Sequence, residues 1–324
     1  MTTPILVTGA AGFIGAHVAR ALVARGQAVL GLDNFNDYYD VRLKHDRVAA
    51  LIPDVPIERV DLADAEAMAD VFDRHRPQAV VHLAAQAGVR YSLESPATYV
   101  QSNLVGFGHL LELVRQHRPA HLVYASSSSV YGGNNQPPFA ESQKIDSPLS
   151  LYAATKAANE LMAHSYAHLF RVPMTGLRFF TVYGPWGRPD MAPILFTRAI
   201  LAGRPIEVFN HGRMRRDFTY IDDIVAGVVS ALDRSPAGTP GQVPHRVFNF
   251  GNHQPEALED FISTIEQAAG RPAEKIYRDM QPGDMPATMA DTSLAHQELG
   301  FAPVTRISEG LPCWLTGVGV MMPG

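Results

Sequence analysis

Residues 5–15 read Ile-Leu-Val-Thr-Gly-Ala-Ala-Gly-Phe-Ile-Gly, and an apolar-periodic segment follows them to Ala24. The short β-branched run predicts a buried strand, and the segment after the glycines predicts a helix. Gly9, Gly12 and Gly15 let the backbone turn sharply between the two and approach a ligand closely. Because the first turn of a helix attracts anions, this unit predicts a site for a pyrophosphate. Tight turns use the same residues, so the glycines alone leave the question open.

The next segment, residues 28–33, ends in an acidic residue. Its sequence, Ala-Val-Leu-Gly-Leu-Asp, reads as a second strand, and Asp33 lies 18 positions beyond Gly15. A carboxylate at this place can hydrogen-bond a ribose diol and repel a 2′-phosphate. Asp33 therefore predicts NAD rather than NADP as the dinucleotide, and it favours a binding turn over an ordinary tight turn.

Strands and helices alternate through the first 178 residues. After the two strands above, we expect strands at 57–60, 79–83, 121–125 and 172–178, with helices at about 64–74, 96–117 and 150–170. This alternation predicts the α/β class, a Rossmann-like doubly wound parallel sheet, in which ligands bind beyond the carboxyl ends of the strands. After residue 178 loops become more frequent, which predicts a smaller C-terminal α/β lobe for the substrate. We expect an NAD-binding domain with the catalytic residues at 1–178 and a mainly substrate-binding lobe at 179–324, with some return of the chain to the first domain.

The composition excludes several classes of partner. The chain has 324 residues, 46% of them hydrophobic, and 27 basic against 32 acidic side chains give a formal charge of -5. This balance argues against nucleic acid and acidic membrane surfaces as main partners. Cys313 is the only cysteine, so an internal disulfide and a cysteine metal site are excluded, and we expect no metal. We see neither a signal peptide nor a membrane-spanning run, and we expect a cytoplasmic protein.

A second informative stretch runs from Ser150 to Lys156, after Pro148 and within a run of good helix formers. Tyr152 and Lys156 are four residues apart and therefore share a helix face. A cation beside a phenol favours the phenolate and lowers the tyrosine pKa from about 10. A tyrosine that gives and takes a proton suits reversible alcohol-to-ketone chemistry. For an isolated pair, a solvated helix face is the simpler alternative.

Three motifs in order carry a family resemblance. They are the glycine turn at 8–15, the serine run 126–129 before Val130-Tyr131-Gly132, and the pair Tyr152 and Lys156. Together they resemble the extended short-chain dehydrogenase/reductase superfamily. Within it, residues 86–92, 183–191 and 280–286 are similar to the nucleotide-sugar epimerases, most of all to the subgroup that acts on UDP-glucuronate. The resemblance covers essentially the whole chain, so it also implies that the second lobe binds a nucleotide sugar.

The resemblance implies a role for individual residues. Tyr152 is implied as the catalytic base, Lys156 as the residue that holds the nicotinamide ribose and lowers the tyrosine pKa, and Ser127 as a hydrogen-bond partner of the reacting sugar oxygen. The positions that line the dinucleotide are Gly9, Gly12, Phe13, Ile14, Gly15, Asp33, Asn34, Asp61, Leu62, Leu83, Ala84, Ala85, Asn103, Ser126, Tyr152 and Lys156. The positions that approach the nucleotide sugar are Arg90, Ser127, Ser128, Thr181, Arg188, Arg216 and Asp284. Many relatives carry an arginine where this chain has Gln281, which is a departure from the family pattern.

The implied reaction is epimerisation at carbon 4 of a UDP-hexuronic acid, UDP-glucuronate to UDP-galacturonate, through a 4-keto intermediate and enzyme-bound NAD. A related 4,6-dehydratase carries Asp-Glu where this chain has Ser128 and Ser129, and a related decarboxylase carries glutamate at the position of Ser129. We hypothesise that Arg188, with a hydroxyl such as Thr181 or Ser128, holds the substrate carboxylate through paired hydrogen bonds.

Several alternatives stay open. The same fold would serve a 4-epimerase of a neutral UDP-hexose, a UDP-glucuronate decarboxylase, or a net dehydrogenase or reductase of a nucleotide sugar. From a different class, a non-catalytic protein that senses NAD would also keep the dinucleotide fold. The equivalents of the helices near 96–117 and 150–170 pair between subunits in this superfamily, which implies a homodimer, although most of their apolar surface is expected to be core.

Overall fold

The computed structural model describes residues 3–134, 136–238, 241–281 and 285–318. The strands are β1 (Ile5–Thr8), β2 (Val29–Leu32), β3 (Ile57–Glu58), β4 (Ala79–His82), β5 (Leu122–Ser127), β6 (Met174–Phe179), β7 (Thr181–Tyr183), β8 (Ile206–Val208), β9 (Arg215–Arg216), β10 (Phe218–Tyr220), β11 (His245–Phe250), β12 (Glu256–Ala257) and β13 (Lys275–Tyr277). The α-helices are α1 (Phe13–Ala24), α2 (Val41–Leu51), α3 (Ala65–His75), α4 (Tyr91–Glu94), α5 (Pro96–Tyr99), α6 (Gly106–His117), α7 (Leu151–Phe170), α8 (Ala192–Leu201), α9 (Ile221–Asp233), α10 (Leu258–Ala269), α11 (Ser293–Leu299) and α12 (Ile307–Val318). A π-helix spans Val100–Val105, and short 3-10 turns span Ser128–Tyr131 and Phe209–Gly212.

The central sheet has seven strands in the order β11-β6-β5-β4-β1-β2-β3, and every neighbouring pair is parallel. This confirms the predicted doubly wound parallel sheet. The order reverses at β1, which has β2 on one side and β4 on the other. Ligands of such sheets bind beyond the carboxyl ends of the strands at this reversal. The fold therefore predicts a ligand site at the turn after Thr8.

Helices cover both faces of the sheet, and β1 shows why. Ile5 and Val7 belong to the cluster that packs under α1 and α9, whereas Leu6 belongs to the cluster under α3, α6 and α7. Successive side chains of a strand point to opposite faces, so the continuous run Ile-Leu-Val supplies apolar groups to both cores. The strand is therefore buried on both sides, and its carboxyl end is the part that meets a ligand.

A third apolar cluster lies in the part of the chain that follows β6. It joins α8, α10 and α12, and its aromatic contact is Phe218 stacked on Phe261 with ring centroids 4.2 Å apart. Three two-stranded sheets, β7 with β10, β8 with β13 and β9 with β12, accompany this cluster. In contrast, β11 also follows β6 in the sequence but belongs to the central sheet, where it pairs with β6.

The helix expected over 96–117 is divided into α5, the π-helix Val100–Val105 and α6. Its expected apolar stripe is core, since Phe107, Leu110, Leu111 and Val114 are buried. A second difference is β7, because the glycine- and proline-rich residues 179–191 predict a loop and the structure has a short strand there. No helix in the described part of the chain combines the length and the apolar character needed to cross a membrane.

Candidate active site

The glycine turn between β1 and α1 is shaped by close backbone packing. Gly9 has a positive φ of 70°, and a Cβ there would lie 2.8 Å from the amide nitrogen of Ala84. A Cβ at Gly15 would collide with the carbonyl oxygen of Gly9. No described side chain caps the first turn of α1, and that turn contains no acidic residue. The positive end of α1 is therefore available to an anionic ligand.

Asp33 stands immediately after β2 and is fixed by the turn. Its Oδ2 accepts a hydrogen bond of 3.1 Å from the amide of Ala11, and its Oδ1 accepts one of 2.9 Å from the amide of Phe35. Lys44 Nζ lies 3.8 Å from Asp33 Oδ1, and both side chains are buried. Burial lowers the pKa of Lys44, an effect that the charge of Asp33 opposes. The sequence analysis did not identify Lys44, which lies in the same cavity as Asp33.

Arg47 on α2 is fully buried and bonds to backbone carbonyls. Its Nη1 donates to the carbonyl of Ala11 over 2.6 Å, and its Nη2 donates to the carbonyl of Trp186 over 2.8 Å. Ala11 belongs to the glycine turn, and Trp186 belongs to the loop that carries Arg188. Arg47 therefore joins the expected cofactor turn to the expected substrate loop, and no local sequence pattern indicated this.

Tyr152 and Lys156 lie in the first two turns of α7. Ser150 is the N-cap, and its hydroxyl accepts a 3.1 Å hydrogen bond from the amide of Ala153, which fixes where the helix begins. Lys156 Nζ donates to the carbonyl of Ala125 in β5 over 2.9 Å, so the lysine anchors α7 to the sheet. Burial lowers the pKa of Lys156 to about 8, against an opposing effect of the Glu160 carboxylate.

The expected lowering of the Tyr152 pKa by Lys156 is not found in the protein alone. Burial raises the pKa of Tyr152 above its usual value. The opposing influences come from a hydrogen bond with the Ser127 side chain and from the positive charge of Arg188. Lys156 is not among the groups that shift the pKa of Tyr152, and its ammonium donates to the carbonyl of Ala125.

Behind the serine run lies a buried ion pair that the sequence analysis missed. Glu160, one turn beyond Lys156, receives two hydrogen bonds from Arg178, from Nε over 2.9 Å and from Nη2 over 2.7 Å. Ser126 Oγ also donates to Glu160 Oε1 over 2.5 Å. The pair therefore fixes the end of β5, and with it Ser127, against the helix that carries Tyr152.

Arg188 lies in the loop between β7 and α8 with Asp190 as its partner. Arg188 Nη2 and Asp190 Oδ2 are 2.6 Å apart, and Nε donates to Oδ1 over 3.1 Å. Although burial by itself lowers the pKa of the guanidinium, the charge of Asp190 and the hydrogen bond to it, together with Tyr38 and Tyr152, outweigh burial and raise that pKa. Because the charge of Arg188 acts on Tyr152, the two groups belong to one site.

A single cavity of about 1300 Å³ brings the predicted site residues together. Those that line it are Gly9, Gly12, Phe13, Ile14, Gly15, Asp33, Asn34, Asp61, Leu62, Leu83, Ala84, Ala85, Arg90, Ser126, Ser127, Ser128, Tyr152, Lys156, Thr181, Arg188 and Arg216. Gln281 lines it as well. Of the arginines in the 213–216 segment, only Arg216 reaches this cavity. Asp284 lies outside the described residues.

Asn103 was predicted to line the dinucleotide, but it is not among the residues that line the cavity. Its side chain is buried and exchanges hydrogen bonds with the backbone of Gln86, accepting over 2.8 Å and donating over 3.0 Å. It also donates to Thr155 Oγ1 over 3.1 Å. Through these bonds Asn103 supports the cavity wall at Gln86 and α7, and its direct contact with the dinucleotide stays a prediction.

The residues present fit a dinucleotide. The uncapped end of α1 offers backbone N–H groups to a pyrophosphate, and the buried Asp33 carboxylate stands at the end of the neighbouring strand. Pockets for one small ligand measure about 300 to 1000 Å³, so this larger cavity has room for a dinucleotide and a second ligand. The fold and the cavity thus define a dinucleotide-binding α/β protein in which a tyrosine, a lysine and a serine share the cofactor cavity.

Comparison with known proteins identifies the family. Residues 5–251 match the model of the NAD dependent epimerase/dehydratase family. The chain belongs to this family.

Individual relatives agree with this assignment along nearly the whole chain. Protein CapI of Staphylococcus aureus is 50% identical over 320 residues, which cover 95% of this chain and 96% of that protein. A probable UDP-glucuronate 4-epimerase of Rhizobium meliloti (strain 1021) is 48% identical over 321 residues, 94% of each chain. Among solved structures, UDP-glucuronic acid 4-epimerase from Bacillus cereus, in complex with UDP-glucuronic acid and NAD, superposes with a TM-score of 0.90 at 33% identity, covering 98% of this chain and 100% of that one.

Proposed function

We propose that the protein is a UDP-glucuronate 4-epimerase that interconverts UDP-glucuronate and UDP-galacturonate with bound NAD. The observation that carries this proposal is the Arg188 guanidinium, which lies in the cavity of Tyr152 and whose charge acts on the phenol. A guanidinium at this place suits a sugar that carries a carboxylate near the reacting carbon. The similarity to named UDP-glucuronate 4-epimerases at about half identity supports the same substrate.

The chemistry follows from the groups around Tyr152. When bound, NAD accepts a hydride from carbon 4 of the sugar and returns it to the opposite face, so it is regenerated in each turnover. Tyr152 takes the proton of the hydroxyl on carbon 4 and gives it back after the 4-keto sugar has turned over. Ser127, a hydrogen-bond partner of Tyr152, also contacts the reacting oxygen. Lys156 orients the cofactor ribose from its anchor on Ala125.

Arg188 has a second task in this proposal, since oxidation of a glucuronate at carbon 4 creates a β-keto acid. Such an acid loses carbon dioxide readily when the bond to the carboxylate lies parallel to the carbonyl π system. Arg188, assisted by Thr181 or Ser128, holds the carboxylate so that this bond is out of alignment. The segment Ser128–Tyr131 contains no carboxylic acid, which agrees with a site for redox chemistry without elimination.

The remaining assignments concern the cofactor and substrate regions. We assign residues 1–178 mainly to NAD and catalysis and residues 179–324 mainly to the nucleotide sugar, with β11 as the return of the chain to the first part. Arg90, Arg216 and Gln281, which line the cavity, approach the nucleotide diphosphate and its sugar.

We also propose a homodimer. Leu161 and Leu169 on α7 are eight residues apart, share one helix face, and are 68% and 66% exposed. Val100 and Val105 of the neighbouring π-helix are exposed as well. Apolar side chains of this size on adjacent helices suit a helix-to-helix contact with a second copy.

The test is to incubate the purified protein, without added NAD, with UDP-glucuronate and to follow the sugar by proton NMR. Formation of UDP-galacturonate without net NADH is the expected result. Recovery of a UDP-pentose as the main product would identify a decarboxylase, and net NADH would identify a dehydrogenase. If nothing changes, the same assay with NAD and neutral UDP-hexoses distinguishes a hexose epimerase from a protein that only binds NAD.

An Arg188→Ala variant should bind UDP-glucuronate more weakly and release some pentose.

A further inference from the structure

Asp190 is the acidic residue that forms an ion pair with Arg188. It accepts two hydrogen bonds from the guanidinium, from Nε over 3.1 Å and from Nη2 over 2.6 Å. The hydroxyl of Tyr38 donates a third, over 3.0 Å, to Asp190 Oδ2. Tyr38, Arg188 and Asp190 all line the cavity, so these bonds lie inside the site. The Tyr38 contact joins segments that are 152 residues apart, whereas Arg188 and Asp190 share one loop.

The carboxylate of Asp190 is ionised in this arrangement. Burial by itself raises its pKa, but the ion pair with Arg188 and the hydrogen bond from Tyr38 outweigh this and lower the pKa of Asp190 below its usual value. The cavity thus contains a guanidinium whose charge is balanced by Asp190. A second carboxylate that enters must use what remains of the same guanidinium or displace Asp190.

The geometry favours an arrangement in which Asp190 and the second carboxylate bind the same guanidinium. A guanidinium is planar and has five N–H groups, of which the Asp190 bonds engage two, on the edge formed by Nε and Nη2. Its other edge, formed by the two Nη atoms, can bind a second carboxylate through two parallel hydrogen bonds. An arginine side chain held on one edge loses its rotational freedom before the substrate arrives, so less entropy is lost on binding.

We propose that Asp190 is a positioning residue that, together with Tyr38, fixes the plane of Arg188 for the carboxylate of the substrate. This inference rests on the proposed function. Without Asp190 the guanidinium can rotate, and the bound carboxylate rotates with it. The residue therefore controls which product forms as well as how tightly the uronic acid binds.

The unwanted reaction is loss of carbon dioxide from the 4-keto uronic acid. The bond between carbons 5 and 6 breaks, and its electron pair enters an enolate across carbons 4 and 5. Carbon 5 then takes a proton, which leaves a 4-keto pentose. The hydride that was removed from carbon 4 returns to that carbon, and the product is a UDP-pentose with the oxidation state of NAD unchanged. The step needs no further oxidant or reductant.

The test compares Asp190→Asn with the wild type, and Tyr38→Phe serves as a milder variant that removes a single hydrogen bond. The matched control is Asp40→Asn, because Asp40 also pairs with an arginine two residues away, Arg42, but does so on the surface. Asparagine conserves the N-cap that Asp40 provides to α2. Retained NAD and the thermal unfolding midpoint of each variant establish that the variants are folded.

For Asp190→Asn we expect affinity for UDP-glucuronate to fall about tenfold by calorimetry, the effect of losing one charge-assisted interaction. Affinity for UDP-glucose should stay unchanged, and pentose should appear among the products from UDP-glucuronate. Tyr38→Phe should show a smaller change in the same direction, and Asp40→Asn should match the wild type.

Two results overturn the inference. Unchanged affinity together with pure epimerisation would mean that Asp190 does not orient Arg188. Tighter binding of UDP-glucuronate would mean that Asp190 competes with the substrate for the guanidinium. If the wild type binds UDP-glucuronate without converting it, the proposed function fails, and the affinity ratio between the two UDP-sugars still decides the role of Asp190.

Discussion

Glu160 and Arg178 form an ion pair with two hydrogen bonds in which both side chains are only 5% exposed. The pair lies between α7 and β6, behind the serine run, and Glu160 also accepts a hydrogen bond from Ser126. Arg178 further donates to the hydroxyl of Tyr131 over 2.9 Å and lies over its ring. The ion pair thus links α7 to the end of β5, and neither Glu160 nor Arg178 lines the cavity.

Removing one partner of this pair should be costly, because the other charge is left buried. Glu160→Gln is expected to lower the free energy of unfolding by about 3 kcal/mol. The double variant Glu160→Gln, Arg178→Met should lose less than the sum of the single variants, since it leaves no isolated charge. Urea unfolding of the four proteins measures both quantities. Strict additivity, within about 0.5 kcal/mol, would show that the pair is not coupled.

The pKa of Tyr152 should depend on the cofactor. In the protein alone, burial holds that pKa above its usual value. Oxidised NAD brings a positive nicotinamide ring, and because a cation near a phenol favours the phenolate, bound NAD should lower the pKa of Tyr152. Phenolate absorbance during a pH titration, taken as the difference between the wild type and Tyr152→Phe, measures the shift with and without NAD. An identical titration in both states would leave Tyr152 unsuited to act as a base near neutral pH.

Much of the site was predictable because its chemistry lies on short contiguous segments. The turn after β1, the acid after β2 and the Tyr152 pair are each recognisable from local spacing, and the parallel sheet brings their strand ends to one edge. The residues that hold these groups were not predictable in this way. Tyr38 meets Asp190 across 152 residues, and Arg47 meets Trp186 across 139. Such contacts depend on how loops fold together, and no periodicity records them.

Asn103 shows a different limit of sequence analysis. Its position matches the family pattern for a cofactor contact, which stays a prediction, but nothing in that pattern indicated that its amide exchanges hydrogen bonds with the backbone of Gln86. The same region is a π-helix, which interrupts the regular helix expected from the apolar stripe. A pattern of apolar residues predicts which face is buried, but it carries no information on a local change of helical type.

Acid should destabilise the fold through its buried histidines. Burial lowers the pKa of four of them, to about 3 for one and to about 4 for the other three: His82, His17, His121 and His245. Between about pH 4 and pH 6.5 the unfolded chain binds these protons and the folded chain does not, so stability is lost as the pH falls through this range. A fall to about 4 corresponds to about 3 kcal/mol at full titration for each of His17, His121 and His245. The raised pKa values of Glu141 and Asp217 have the opposite effect on stability. These are two groups against the four histidines.

Urea unfolding between pH 4 and pH 8 tests this expectation. The free energy of unfolding should rise with pH up to about 6.5, and His121→Gln should reduce the slope because one titrating group is removed. His121 bonds to the carbonyl of Leu232 and to the hydroxyl of Thr175, and glutamine can satisfy one of these partners. A slope that is unchanged in His121→Gln would show that this histidine does not contribute to the pH dependence.

The oligomeric state should depend on the exposed face of α7. Leu161 is 68% exposed although it lies on the helix that carries Tyr152 and Lys156. If this face pairs with a second copy, Leu161→Glu places a charge in an apolar contact and should convert the dimer to a monomer at micromolar concentration. Val304→Glu is the matched control, because Val304 is a 77% exposed aliphatic residue outside α7 and the neighbouring π-helix. Sedimentation velocity of the wild type and the two variants measures their oligomeric state. A monomeric wild type, or a Leu161→Glu protein that stays dimeric, would show that α7 does not form a dimer interface.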